Sequence, residues 1–466
     1  MENKKNSNEN NIMNEKNEMD NDKKDVKENM NENNINEIKD KTVENIINED
    51  SKENKNKIII KDHNEIKANE EYFQKKFNYF EMHYDKWETA IQNDIKDLKK
   101  RVFIPSNRDL LWLIFLGVLP YNLTKNWNQI ISEERTSYLE TKKELITKDI
   151  EEFIITKKIK DKYSAYFKFK DILSKEDYDF LDIIKVDVTR TFQKVELFKQ
   201  EIIQKTLINI LFIFAKKNKG IGYRQGMSDL CAIFLYVLYK EKILDTSYIE
   251  DNKTFIFYLL YSNNEFLEHD TYALFSRFML KGYAQFFLYN DEQYMNGDLS
   301  KIENQKKKLL KKNDIINSKD SELKKRIYLV YYLEFPLADK QLYQFMSDKI
   351  EPEIFMVRWY LCAFSREFSL PQLVELWDLI LLQEFIEDKN KNNKNKKNNE
   401  ESKNVYKFVD YIILSMLVNI KEFIMKKKTS SELMAFLMKY PKDIDVKKIY
   451  DKSLEIYNKN KNNLKI

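Results

Sequence analysis

The stretch VELFKQEIIQKTLINILFIFAKKNKG, residues 195–220, decides the fold class. Val195, Phe198, Ile202, Ile203, Ile210 and Phe214 recur at three-to-four spacing, the period of a helix with a wide apolar face. Lys216, Lys217 and Lys219 set cations over the negative end of its dipole, and Gly220 stands where a C′ glycine would stop it. The same period predicts helices over residues 352–368 and 371–382. Between them, Ser369-Leu370-Pro371-Gln372 reads as a capping box with an early proline. No segment sustains a period of two or carries a hairpin turn. The chain therefore reads as all-α.

Composition narrows the function classes. The chain has 466 residues, 42% of them hydrophobic, which is ample for a large core with tails. A formal charge of +4 spread over 33% charged residues is close to balance and excludes the concentrated basic stripe of a nucleic-acid binder. Cys231 and Cys362 each lie in an apolar run and read as small buried hydrophobes. His63, His83 and His269 are scattered, so no metal site is expected. The longest apolar run, residues 110–120, is too short for a bilayer span, and residues 1–6 lack the apolar segment of a signal peptide. A cytoplasmic protein is expected.

Three stretches depart from the helical pattern. Residues 1–70 are dominated by Asn, Lys, Glu and Asp, with 11 lysines and 15 acidic residues in the first 60, and are expected to be a disordered tail. Residues 298–325 and 387–403 have the same composition between apolar helices and read as loop insertions. The lysines around Leu309-Leu310 offer a peripheral contact with an anionic membrane, although a solvated charge run explains them as well. The folded part is expected over residues 73–450, with a tail over 451–466.

Two short motifs carry the chemistry. Ile184-Lys185-Val186-Asp187-Val188-Thr189-Arg190 precedes the long helix, and Tyr223-Arg224-Gln225-Gly226 follows it. By themselves, Asp187 and Arg190 make an ordinary i,i+3 pair, and Gln225 lies in what could be a plain turn. Together they offer a cation and a carboxamide. Phosphoryl transfer needs both, one against developing charge and one to hold the attacking water. Three of the chain's six glycines, Gly220, Gly222 and Gly226, cluster beside Gln225 and permit close backbone approach.

The two motifs resemble the IxxDxxR and YxQ signatures of TBC-domain GTPase-activating proteins for Rab GTPases. Ile104-Pro105, Arg108-Asp109-Leu110-Leu111-Trp112 and Gly117 resemble the family's opening motif. Residues 225–230, QGMSDL, resemble its QGMNDL, while Arg358-Trp359, residues 365–368 and Leu376-Trp377-Asp378 resemble its RW, REF and LWD helices. Residues 187–192, 268–272 and 408–412 are most similar to the member-5 subgroup, which is associated with late-endosomal Rabs and retromer. Phe103, Asn107 and Gln193 depart from the pattern, none at a finger position.

The resemblance implies a two-lobed helical domain, with an N-lobe over residues 73–297 carrying both fingers and a C-lobe over 326–450. It implies that Arg190 is an arginine finger and Gln225 a glutamine finger, with Asp187, Tyr223 and Gly226 supporting their loops. Arg108 and Arg366 are the candidates for touching the partner. Trp112, Arg358, Trp359, Trp377 and Asp378 are expected to be core or helix-packing residues. The implied partner is a Rab GTPase in its GTP form, which brings GTP and Mg²⁺. The chain would need no cofactor of its own and would act peripherally on endomembranes in vesicle traffic. The alternative is a Rab-binding scaffold that does not accelerate hydrolysis.

Overall fold

The computed structural model describes residues 108–120, 127–155, 172–241, 266–288, 311–393 and 406–463, with a few positions among 92–98. The expected tail at 1–70, the motif Ile104-Pro105 and the stretches 298–310 and 394–403 lie outside them. Every regular element among the described residues is helical. The helices are α1 (Arg108–Phe115), α2 (Trp127–Leu145), α3 (Lys148–Ile155), α4 (Lys175–Arg190), α5 (Glu201–Lys217), α6 (Met227–Glu241) and α7 (Leu267–Leu280). After them come α8 (Lys312–Ile316), α9 (Glu322–Tyr328), α10 (Phe335–Ala338), α11 (Lys340–Ser347), α12 (Glu353–Leu361) and α13 (Leu370–Asn393). The chain closes with α14 (Phe408–Asn419), α15 (Lys421–Met425), α16 (Ser430–Met438) and α17 (Val446–Asn463).

The helix predicted over 195–220 is real but starts later. Thr191 is extended and Phe192 is left-handed at φ +42°, so the chain turns there, and residues 196–199 form a short 3-10 turn. Helix α5 begins at Glu201, leaving Val195 and Phe198 outside it. It is buried from Thr206 through Ala215, which makes it the enclosed helix of the N-terminal half rather than a surface helix with one apolar face. Gly220 does not cap it. Asn218 does, with its backbone N–H donating to the Phe214 carbonyl at 3.0 Å and its side-chain amide donating to the same oxygen at 2.9 Å. In the turn right after the helix, the glycine with a left-handed backbone is Gly222, at φ +63°.

The C-terminal half corrects four more expectations. Residues 311–325 belong to the fold, because α8 and α9 bury Ile315 and Leu323 completely or nearly so. Residues 387–393 continue α13; there Glu387 accepts from Tyr457, and Asp388 pairs with Lys281 at 2.7 Å. Residues 451–463 are helix α17, packed on α14, with Ser453, Ile456 and Asn460 buried. Lysine and asparagine on the outer face masked the spacing of Ile449, Ser453 and Ile456. Finally, the helix predicted to reach residue 368 stops at Leu361, where Ala363 and Phe364 turn left-handed at φ +41° and +69°. Gln372 does reach back to the Ser369 N–H, at 3.1 Å.

One continuous core joins the halves. Trp112 of α1, Phe234 of α6, Phe278 of α7 and Trp377 of α13 pack with ring centroids 5.0–6.0 Å apart. Asp378 lies beside this cluster. It accepts Trp112 Nε1–H at 2.8 Å and takes Arg108 Nε at 2.9 and 3.0 Å to its two oxygens. Burial raises the Asp378 pKa, and the Arg108 charge opposes that rise. The tryptophans are thus core, as expected.

A second polar knot holds α2 against α7. Arg135 pairs with Asp270, and Glu268 takes Lys142, Tyr138 and Asn209. His269 sits between these groups, edge-on to Tyr138 and Phe266, with no hydrogen bond to either ring nitrogen.

Two outcomes follow for stability. Asp378→Ala should cost about 3 kcal/mol in urea unfolding, because it takes the carboxylate away from a mostly buried guanidinium and from the Trp112 N–H. An unchanged unfolding midpoint would remove Asp378 from any role in joining the halves. Burial first of all lowers the His269 pKa to about 4, against 6.5 ordinarily. Between those values the unfolded chain holds the proton that the folded chain refuses, so stability falls as pH drops through pH 6.5 to 4. His269→Phe should remove up to about 3 kcal/mol of that loss, seen as a flatter plot of unfolding free energy against pH than wild type gives.

Candidate functional site

The C-terminal end of α4 builds one side of the site. Ser174 caps the start of the helix by accepting the Asp177 N–H at 3.1 Å, and Tyr178, Leu181, Ile184, Asp187 and Val188 line its buried face. That register turns Asp187 inward, 3% exposed, and leaves Arg190, the last residue, with its side chain 44% exposed. Arg190 is therefore inside α4, not ahead of the next helix.

Asp187 uses both oxygens. Oδ1 accepts from Arg190 Nη2 at 2.5 Å, and Oδ2 accepts the Tyr223 hydroxyl at 2.8 Å. Tyr223 is buried, and that burial together with the Asp187 charge raises its pKa well above the ordinary value, so it stays a donor. Thr191 Oγ1 lies 2.9 Å from the Asp187 carbonyl and 3.0 Å from Ser228 Oγ. The chain of contacts ties the end of α4 to the loop before α6.

Gln225 is exposed on that loop, one residue before Gly226. Gly226 has φ +103°, a conformation that disfavours any side chain. A Cβ there would sit 3.5 Å from the Leu361 carbonyl, so this loop runs directly against the end of α12.

Arg190 and Gln225 face one open groove of about 430 Å³. Asp187, Arg190, Gln225, Gly226 and Ser228 line one wall; Glu353, Ile354, Val357, Arg358, Leu361, Cys362 and Arg366 line the other. Arg366 pairs with Asp229 at 2.9 Å while its side chain stays 45% exposed, and Ser365 donates to the same Asp229 oxygen at 2.9 Å. Burial raises the Asp229 pKa, and Arg366 counteracts it. Asp229 thereby joins α6 to the turn after α12 and holds the two walls together.

Arg358, on the groove wall, is anchored to buried Glu367 and the Met438 carbonyl. Burial pushes the Cys362 thiol up to about 12, so it faces the groove as a neutral thiol. It is only half-buried, not enclosed as the sequence implied. The groove offers a positioned guanidinium and a carboxamide rather than a base and a nucleophile.

Of the expected site residues, Asp187, Arg190, Tyr223, Gln225, Gly226 and Arg366 come together here. Arg108 does not. It is 16% exposed, bonded through both Asp378 oxygens, and does not line the groove. Sequence reasoning missed Asp229 and Ser228, although both stand in the quoted QGMSDL block. It also missed the α12 wall of Glu353, Ile354 and Val357, whose alternation with buried Phe355 and Met356 only the packing reveals.

The described residues thus form an all-helical fold in which an arginine and a glutamine line one groove. The model of the Rab-GTPase-TBC domain matches residues 105–314 and 307–392, and the chain belongs to that family. TBC1 domain family member 5 of Mus musculus is 27% identical over 361 residues, covering 74% of this chain and 40% of that protein. The GTPase-activating protein GYP1 of Saccharomyces cerevisiae is 24% identical over 295 residues, 62% of this chain and 37% of that one. The chain thus spans about two fifths of the length of these curated relatives. The crystal structure of the Ypt/Rab-GAP domain of Gyp1p superposes with a TM-score of 0.52 at 19% identity, covering 78% of this chain and 92% of that domain, a likeness of fold.

Tyr223→Phe should destabilise the chain by about 1–2 kcal/mol, since Asp187 Oδ2 loses its donor while staying buried. Urea unfolding of the purified variant measures this; a loss below a few tenths would show that the tyrosine hydroxyl does not hold the loop.

Proposed function

We propose that the chain accelerates GTP hydrolysis by a Rab-type small GTPase bound in this groove. Arg190 would place its guanidinium against the oxygens that gain charge as the γ-phosphate departs. Gln225 would orient the attacking water. The partner brings the nucleotide and Mg²⁺. The carrying observation is that Arg190 and Gln225, on separate segments, face the same groove with the arginine steadied by Asp187 and Tyr223.

The Asp187 bond takes only one of the five guanidinium N–H donors, and the exposed remainder is available to a partner. Holding the side chain in advance lowers the ordering cost of presenting it. Arg366, half-exposed on the facing wall, is the further cation poised to meet the partner. The relative GYP1 is a GTPase-activating protein, which supports the same reading. By the sequence's resemblance to the member-5 subgroup, the setting proposed is vesicle traffic on endomembranes, reached from the cytoplasm.

A scaffold that binds the GTPase without accelerating it would use the same groove and have no need of the two fingers. Single-turnover GTP hydrolysis by a panel of Rabs separates the two. One or a few Rabs should be accelerated. Arg190→Ala should lose about 10³–10⁵ of that acceleration, and Gln225→Ala a large part of it. Acceleration that ignores Arg190→Ala, or tight binding with no acceleration, sinks the catalytic reading.

A further inference from the structure

Helices α15 and α16 carry a face that the rest of the fold leaves uncovered. Phe423 is 55% exposed, and Met434 and Met438 are 41% exposed each. Phe436, half-buried, stacks on Phe423 with centroids 6.2 Å apart. The second half of α16 reads LMAFLM, yet only Leu433 and Leu437 are buried. The core therefore takes Leu433 and Leu437 fully and Phe436 in part, and leaves Met434 and Met438 facing outward. A free-standing Phe or Met is unremarkable, but a contiguous set on two adjacent helices marks an interaction surface.

Cations outnumber carboxylates around the set. Lys426 Nζ lies 5.8 Å from the Phe423 ring centroid, and Lys427 Nζ lies 4.7 Å from that of Phe436. Lys428 and Lys439 are exposed beside them. Of the acidic side chains on the two helices, Glu432 is exposed and engaged as a cap, accepting the Lys428 and Thr429 N–H groups at 2.8 and 3.4 Å. With exposed Glu422 that makes two carboxylates against the four lysines Lys426, Lys427, Lys428 and Lys439. Interleaved cations and apolar tips are what an acidic, greasy layer would meet.

We propose that this face docks on an anionic lipid bilayer. Phe423, Met434 and Met438 would enter the boundary between headgroups and acyl chains, with the lysine stems lying along it and their ammonium groups among the headgroups. The composition favours lipid over protein. Protein interfaces enrich Arg, Tyr and Trp and deplete Lys, whereas this face supplies lysines alone, and a compact ammonium suits headgroups of no fixed geometry. The groove shows the contrast, with Arg190, Arg358 and Arg366 on its walls. The two surfaces meet at Arg358, which donates to the Met438 carbonyl at 3.3 Å, so docking would hold the groove beside the bilayer.

Co-sedimentation of the full chain with vesicles of phosphatidylcholine, with and without phosphatidylserine, tests this. Binding is expected only with phosphatidylserine present, and added salt should weaken it. Lys426→Glu/Lys427→Glu/Lys428→Glu should lower vesicle partitioning roughly tenfold or more. Phe423→Ser with Met434→Ser should weaken it with the charge intact, and decides the matter if the lysine variant fails to fold. No binding by wild type, or equal binding by wild type and both variants, overturns the proposal. So does a loss of GTP hydrolysis in vesicle-free solution with vesicle binding intact, since the face would then touch the GTPase. The vesicle readout involves no GTPase, so its result stands apart from that of the hydrolysis assay.

Discussion

The carboxylate of Asp187 is the constraint on which the site depends. Burying a carboxylate costs several kcal/mol unless its oxygens are met by donors of good geometry. Asp187 meets that demand from two places, Arg190 one turn on in α4 and Tyr223 beyond the whole of α5. Neither segment could satisfy it unaided. The bond therefore does two things together: it holds an otherwise flexible arginine in one orientation, and it ties the loop bearing Gln225 to the same spot.

The pattern recurs at other seams. Asp229 takes Arg366 and Ser365 across the groove, Asp378 takes Arg108 and Trp112 between α1 and α13, and Asp410 takes Arg326 and Tyr360 between α14, α9 and α12. Apolar packing alone tolerates small slides of helix against helix. A buried ion pair does not, because a shift of an ångström or two strands a charge in a medium that solvates it poorly. Their consequence here is register: where one wall stands relative to the other, and so whether two side chains from distant segments can face one partner. The partners are half-exposed at the groove, Arg190 and Arg366, and buried or nearly so at Arg326 and Arg108. The first two keep donors available to solvent.

Much of this was legible in the residues. Helical spacing with no competing period of two predicted the all-α class, and the tryptophans at 112, 359 and 377 read correctly as core. The two motifs single out Arg190 and Gln225, and the family resemblance sets Asp187 and Tyr223 beside them, where Asp187 bonds both Arg190 and Tyr223. Errors clustered where a local pattern had two solutions. Gly220 and Asn218 both suit a helix end, and the choice fell to Asn218, whose amide reaches the Phe214 carbonyl. The polar stretches at 311–325 and 451–463 looked like loop and tail because their few apolar residues, such as Ile315, Leu323 and Ile456, are sparse. They fold because a neighbour supplies the other half of the apolar surface.

By itself, then, the sequence determined the helical class, the core aromatics and the chemistry on offer, a cation and a carboxamide in recognisable motifs. These depend on local spacing and residue type, which a linear reading captures. Tertiary structure alone decided that Arg190 and Gln225 share a groove, that Asp229 clamps its walls, and that Arg108 is spent on Asp378 while Arg366 remains half-open. Each of those depends on which buried carboxylate a given arginine can reach. That is a matter of distance through the core, which spacing along the chain does not encode.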